Sequence, residues 1–171
     1  ALAVVALVRV YSIGAVYRGS DVVLSGNDPY YYRYWVEQAV ARGGSALDLG
    51  ALEALPHAVR TGEPLTVATL WWVSELLGGG AATVGHVLAW YPVASAVVTA
   101  GLVYLLGVRV TGDRRVGLAS ILVLAILPGH ALRTSLGFAD HHAFDYPWLA
   151  ATALCLVVLA TMDRERLRGP A

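Results

Sequence analysis

Residues 84–108 form a run of 25 positions without one Asp, Glu, Lys or Arg. A helix of that length exceeds the roughly 20 apolar residues needed to cross a hydrocarbon core. Two further candidates follow: residues 116–132, near the short limit, and residues 143–162, whose only charge is Asp145 near one end. Hydrophobic residues make up 57% of the chain and charged residues 14%, with a mean hydropathy of +0.62. The expected fold class is therefore all-α: a polytopic membrane protein rather than a soluble globular domain.

Residues 1–16 are apolar apart from Arg9, Tyr11 and Ser12. An Arg at the centre of a span costs at least ~2.5 kcal/mol, so the simplest expectation starts a first helix upstream of Ala1 and places Arg9 near its outer end. No basic n-region or small-residue cleavage site marks a signal peptide. The expected organisation is the end of a first span (1–17), a long helical outer loop (18–83) and spans at 84–108, 116–132 and 143–162. That makes about four transmembrane helices.

Arginine sets the expected orientation. The segment 109–115 carries Arg109, Arg114 and Arg115, and the tail carries Arg164, Arg166 and Arg168. The connection between them carries Arg133 alone. The positive-inside rule then places 109–115 and 163–171 in the cytoplasm, and the long loop and the Asp140 loop outside. All twelve basic residues are Arg, which we attribute to genome composition. The lone Cys155 excludes an internal disulfide and reads as a packing residue. The formal net charge of zero adds little, and no nucleic-acid partner is expected.

In so apolar a chain, two acidic clusters stand out: Gly26-Asn27-Asp28-Pro29-Tyr30 and Phe138-Ala139-Asp140-His141-His142. Topology puts both on the outer face. Asp28 precedes a proline suited to the first turn of a helix, and residues 30–40 continue with helical character, so an N-cap is its bland reading. Asp140 stands at the start of the last span and admits the same reading. Two histidines beside an Asp at the mouth of a span are less ordinary. Asp140 and His142 can offer oxygen and nitrogen to one ion, a set suited to Mg²⁺ or, with imidazole, to Mn²⁺ or Zn²⁺. Residues 45–60 look like an amphipathic helix, and residues 65–77, with Trp71-Trp72, are too short to span. His57 in the outer loop can approach the site, although a surface histidine is the commoner case. Asp145 either lines the same cavity or favours its helix start electrostatically. His86 and His130 are expected at the interface, and Glu37 and Glu63 in solvent.

Gly26-Asn-Asp-Pro-Tyr-Tyr-Tyr-Arg33 and Arg133-Thr-Ser-Leu-Gly-Phe-Ala-Asp140-His-His142-Ala-Phe together resemble the two acidic motifs of the oligosaccharyltransferase catalytic subunit. The likeness is closest to the archaeal AglB-type enzymes. Gly62-Glu63-Pro64-Leu65 and Trp90-Tyr91-Pro92 resemble segments that this family carries between its motifs. The resemblance implies a multi-span glycosyltransferase of the GT-C type in the cell membrane, with its active site on the extracytoplasmic face. It implies metal-dependent transfer of a glycan from a dolichyl phosphate or diphosphate carrier to Asn of Asn-X-Ser/Thr sequons. The implied partners are a lipid-linked oligosaccharide, an acceptor polypeptide and membrane lipids.

By the same resemblance Asp28 binds metal and engages the acceptor amide. Asp140 and His142 complete the ligands of a Mn²⁺ or Mg²⁺ ion, and Arg133 lies near them as a catalytic residue. His141, His57 and Asp145 are possible additions. His142 stands where many relatives have Asp or Glu. The family's Trp-Trp-Asp motif and its later outer-loop glutamate motif do not occur in these residues, and the C-terminal soluble domain is absent from them. The expectation is an N-terminal membrane fragment that is inactive alone. Two other classes stay open: a different polyprenyl-phosphate-sugar glycosyltransferase, and a non-enzymatic membrane transporter, whose ionisable residues would line a path inside the bundle.

Overall fold

The computed structural model describes residues 1–48, 53, 55 and 63–168, the last six as backbone only. The long apolar run becomes helix α5, Ala81–Thr111. At 1.5 Å per residue it is about 46 Å long, and it forms the spine of the molecule. Ahead of it lie α1 (Leu2–Arg9), α2 (Ile13–Val16), a two-stranded hairpin of β1 (Tyr17–Arg18) and β2 (Asp21–Val22), α3 (Asp28–Arg42) and α4 (Pro64–Leu76). After it come α6 (Arg114–Ile126), α7 (Pro128–Arg133) and α8 (His141–Arg168). The structure is mostly helical as expected, and the hairpin is its one departure among the described residues. The amphipathic helix expected over 45–60 falls largely outside the described residues; at its start is a turn, with the Asp48 amide donating to the Ser45 carbonyl at 2.9 Å.

Two helices, α5 and α8, are long and apolar enough to cross a membrane. The third expected span is not one helix. Leu127 turns extended (φ −64°, ψ 113°) before Pro128, which splits residues 116–132 into α6 and α7. The residue before a proline is pushed out of the helical region, and a proline has no amide hydrogen to bond the Leu124 carbonyl. Arg9 fills that gap. Its Nη2 donates to Leu124 O at 3.2 Å, its Nη1 donates to Ala125 O, and its Nε reaches Thr134 Oγ1 at 2.9 Å. Arg9, the last residue of α1, is fully buried there. His130, expected at the interface, is buried beside it, with Nδ1 2.7 Å from Nη2.

Helices α6 and α8 both pack on α5. Against α6 the fit depends on glycine: a Cβ at Gly107 would come within 3.1 Å of the Gly117 backbone. A Cβ at Gly117 would come within 2.7 Å of Val108 and 2.8 Å of Tyr104. Small residues of this kind let helix backbones approach closely. The main core lies at the other end of α5, where Tyr32, Val36 and Ala39 of α3 meet Val67, Leu70 and Trp71 of α4 and Val84, Leu88 and Val93 of α5. Cys155 is exposed on α8 rather than packed.

Candidate active site

Convergence of the two acidic clusters begins with backbone hydrogen bonds. The loop between α7 and α8 is held from three sides: the Leu136 amide donates to Arg9 O at 2.8 Å, the Gly137 amide to Ala89 O at 2.9 Å, and the Ser25 amide to Gly137 O at 2.9 Å. Gly137 has φ +81°, and a Cβ there would lie 2.7 Å from Val16 Cγ2, so this turn admits only glycine without displacement. Gly26 (φ +97°) sits against the Phe138 ring, 3.5 Å from where its Cβ would be. The loop before α3 is tied down in turn. Tyr30 Oη accepts from the Leu24 amide, and Arg33 donates to Val22 O while pairing with Glu37 at 2.7 Å. The loops preceding Asp28 and Asp140, 112 residues apart in sequence, therefore touch.

Neither aspartate behaves as a cap. Asn27 is the cap residue of α3, and Asp28 lies within its first turn with no side-chain cap bond at the helix start. Asp140 is fully buried, and its Oδ2 accepts from Arg133 Nη1 at 2.8 Å. The Arg133 guanidinium in turn lies 5.7 Å from the centre of the Phe138 ring. The other oxygen, Oδ1, is buried without a hydrogen-bond donor. His141 Nδ1 stands 2.6 Å from it, off the hydrogen-bonding direction.

Beside this pair lies a residue that the sequence reading left in solvent. Glu63 precedes α4 and spends no side-chain bond on capping that helix. Its Oε1 is 3.4 Å from His141 Nδ1, and its Oε2 is buried without a partner. Burial raises the Glu63 carboxyl above the ordinary range. His141 opposes that shift, while Asp140, Asp145 and Asp28 reinforce it. The signal available in sequence was the Glu63-Pro64 step, which repeats the pattern of Asp28-Pro29 at a helix start.

Asp28, Tyr31, Tyr32, Glu63 and His141 line one cleft of about 240 Å³. Glu63 and His141 separate it from a second recess of about 230 Å³ that Asp145 lines with Pro64, Leu65, Thr66 and Phe144. His142 packs against His141, ring centres 4.0 Å apart, and stacks on Tyr146. Ligand atoms of His141, His142 and Asp145 all lie within 4.8 Å of one another. His57 lies outside the described residues. The structure thus gathers Asp28, Glu63, Asp140, His141, His142 and Asp145 at the start of α8, beside the N-terminal half of α5. Four carboxylates meet one guanidinium and two imidazoles there. That charge imbalance and the unsatisfied Asp140 Oδ1 fit a divalent cation held by oxygen and nitrogen.

The chain is 30% identical over 166 residues to the dolichyl-monophosphooligosaccharide–protein glycotransferase AglB of Haloferax volcanii, covering 93% of this chain and 16% of the relative. It is 30% identical over 132 residues to dolichyl-phosphooligosaccharide–protein glycotransferase 3 of Archaeoglobus fulgidus, covering 74% of this chain and 15% of that one. This chain is related to the archaeal oligosaccharyltransferases. It spans about one sixth of the length of the curated relatives it matches. No family model and no solved structure matches it.

Proposed function

We propose that this chain is the N-terminal membrane portion of an enzyme that transfers a glycan from a dolichyl phosphate or diphosphate carrier to Asn of an Asn-X-Ser/Thr sequon. The observation that carries the reading is the convergence of four carboxylates and two histidines where the start of α8 meets the N-terminal half of α5. A bilayer location is supported by exposure. Only 28% of the most apolar stretch of α5 and 6% of that of α8 are buried, far below what the core helix of a soluble protein needs. In this reading the arginine-rich ends at 109–115 and 163–171 lie in the cytoplasm and the site faces outward.

An asparagine amide is a poor nucleophile because its nitrogen lone pair is delocalised into the carbonyl. Asp28, on the wall of the cleft, accepts hydrogen bonds from the NH₂ group, orienting the nitrogen and weakening that delocalisation. Transfer forms a bond from nitrogen to the sugar carbon, breaks the bond from that carbon to the phosphate oxygen, which leaves on the carrier, and passes one amide proton to the Asp28 carboxylate. Asp28, Asp140 and His142, with His141 and Asp145 beside them, are the residues to hold Mn²⁺ or Mg²⁺. Such an ion would supply the positive charge that offsets what develops on the leaving phosphate. Arg133 holds Asp140 in place through its guanidinium, and the pairing of two substrates at one surface lowers the entropic part of the barrier.

In the whole protein, Asp28→Ala and Asp140→Ala should each lower transfer to a sequon peptide by about a hundredfold or more, and chelation should do the same. Undiminished transfer in both variants, or after exhaustive chelation, would remove this reading.

A further inference from the structure

We propose that Glu63 is a further cation-binding residue of this site, acting with Asp140 and His141. The inference rests on the metal-dependent reading above and assigns it a ligand from the outer loop. Three observations lead there. First, Asp140 Oδ1 is completely buried, has no donor, and lies 2.6 Å from His141 Nδ1. Two lone pairs that close repel unless a positive centre, a proton or a cation, attracts both. Second, Glu63 Oε1 approaches the same nitrogen at 3.4 Å. Ligand atoms around a divalent ion are spaced about 2.8 Å apart in an octahedron and about 3.6 Å in a tetrahedron, given bonds of about 2.0–2.2 Å. The 3.4 Å spacing falls inside that range, and the 2.6 Å spacing lies just below it. Third, Glu63 Oε2 is buried and unpartnered although the residue as a whole is not. A carboxylate is not left half-desolvated without compensation.

Position makes the assignment specific. Glu63 sits at the head of α4, whose Val67, Leu70 and Trp71 are locked in the main core. The carboxylate is thus delivered by a rigid element, and Glu63 and His141 form the wall between the two recesses. Cation binding would join the outer-loop helix α4 to the start of α8.

The test is Mn²⁺ binding to the whole protein in nanodiscs, read from the free Mn²⁺ signal by electron paramagnetic resonance. E63Q, which keeps the shape of the side chain, should weaken binding about tenfold or more. E63D, which keeps the charge but draws the oxygens back, should weaken it severalfold. Glu37→Gln, in the outer-loop Arg33–Glu37 pair, should bind as the unaltered protein does. Circular dichroism melting checks that each variant folds. Unaltered binding in E63Q alongside loss in Asp140→Asn overturns the inference and leaves the broader reading standing. Loss in E63Q with full binding in E63D reduces Glu63 to a distant charge and overturns it too. If the unaltered protein binds no Mn²⁺, both the inference and the metal-dependent reading fall.

Discussion

Arg9 shows how one residue can set the geometry of a site it never touches. Its guanidinium reaches Leu124 O, Ala125 O, Thr134 and His130, and its own carbonyl holds the Leu136 amide at 2.8 Å. Each acceptor left unpaired in the interior costs about 1–3 kcal/mol. Arg9→Met should therefore destabilise the fold by about 2–5 kcal/mol, seen as a lower melting temperature in detergent. Arg9→Lys should recover only part of the loss, because an ammonium is a compact charge and not a planar fork. Unchanged melting in Arg9→Met would show that the buried network is dispensable. At the same scale His142→Asp should retain transfer activity with altered Mn²⁺ and Mg²⁺ preference, since the substitution exchanges one metal donor for another. Complete loss of transfer would show that the imidazole is specifically required.

Among the elements, the helical hairpin of α5 and α6 is the most sensitive to side-chain size. Any side chain at Gly117 drives into Tyr104 and Val108, and one at Gly107 meets the backbone of its partner. Gly117→Val should cost about 1–3 kcal/mol through overpacking and shift α6 away from α5. Because Arg9 and α7 are anchored to the far end of α6, the same change should loosen the Asp140 loop. Thermal melts and hydrogen exchange at the 134–140 amides check this; wild-type protection there would show the loop to be independent of the hairpin. The helix α4 is the other element that matters, since it buries one face and leaves Glu63 at its head beside the cleft. Its hydrophobic character was plain in sequence, but its partners in α3 and α5 were not.

For the whole molecule, the arrangement places the loops around Asp28 and Asp140 beside the N-terminal half of α5 and the arginine-rich turn at its C-terminal end. The distant ends of α5 and α8 are tied by Arg109, which donates to Thr161 Oγ1 at 2.6 Å. With the exposed Cys155 replaced by Ser, a cysteine at the exposed Ser20 should be labelled only from outside sealed right-side-out vesicles. One at the exposed Arg114 should be labelled only after permeabilisation. Equal labelling of both from outside would overturn the proposed topology.

Helical class, the two long apolar segments and the acidic clusters were legible in the chain because they depend on local quantities: run length, charge and proline position. The break at Leu127-Pro128 was present in the residues as well, but its acceptance inside the fold depended on Arg9, 118 positions away. Four spans were read where the structure has two helices long enough on their own, since hydropathy registers apolar content and not the interruption of a helix. Asp28 and Asp140 could be put on one face by counting crossings. Their convergence required the Ser25–Gly137 bond and the Gly26–Phe138 contact, which no spacing encodes. The place of Glu63 beside His141 was missed for the same reason. A residue's burial and its charged neighbours are properties of packing, and only the tertiary structure brings Glu63 to within 3.4 Å of His141, beside Asp140.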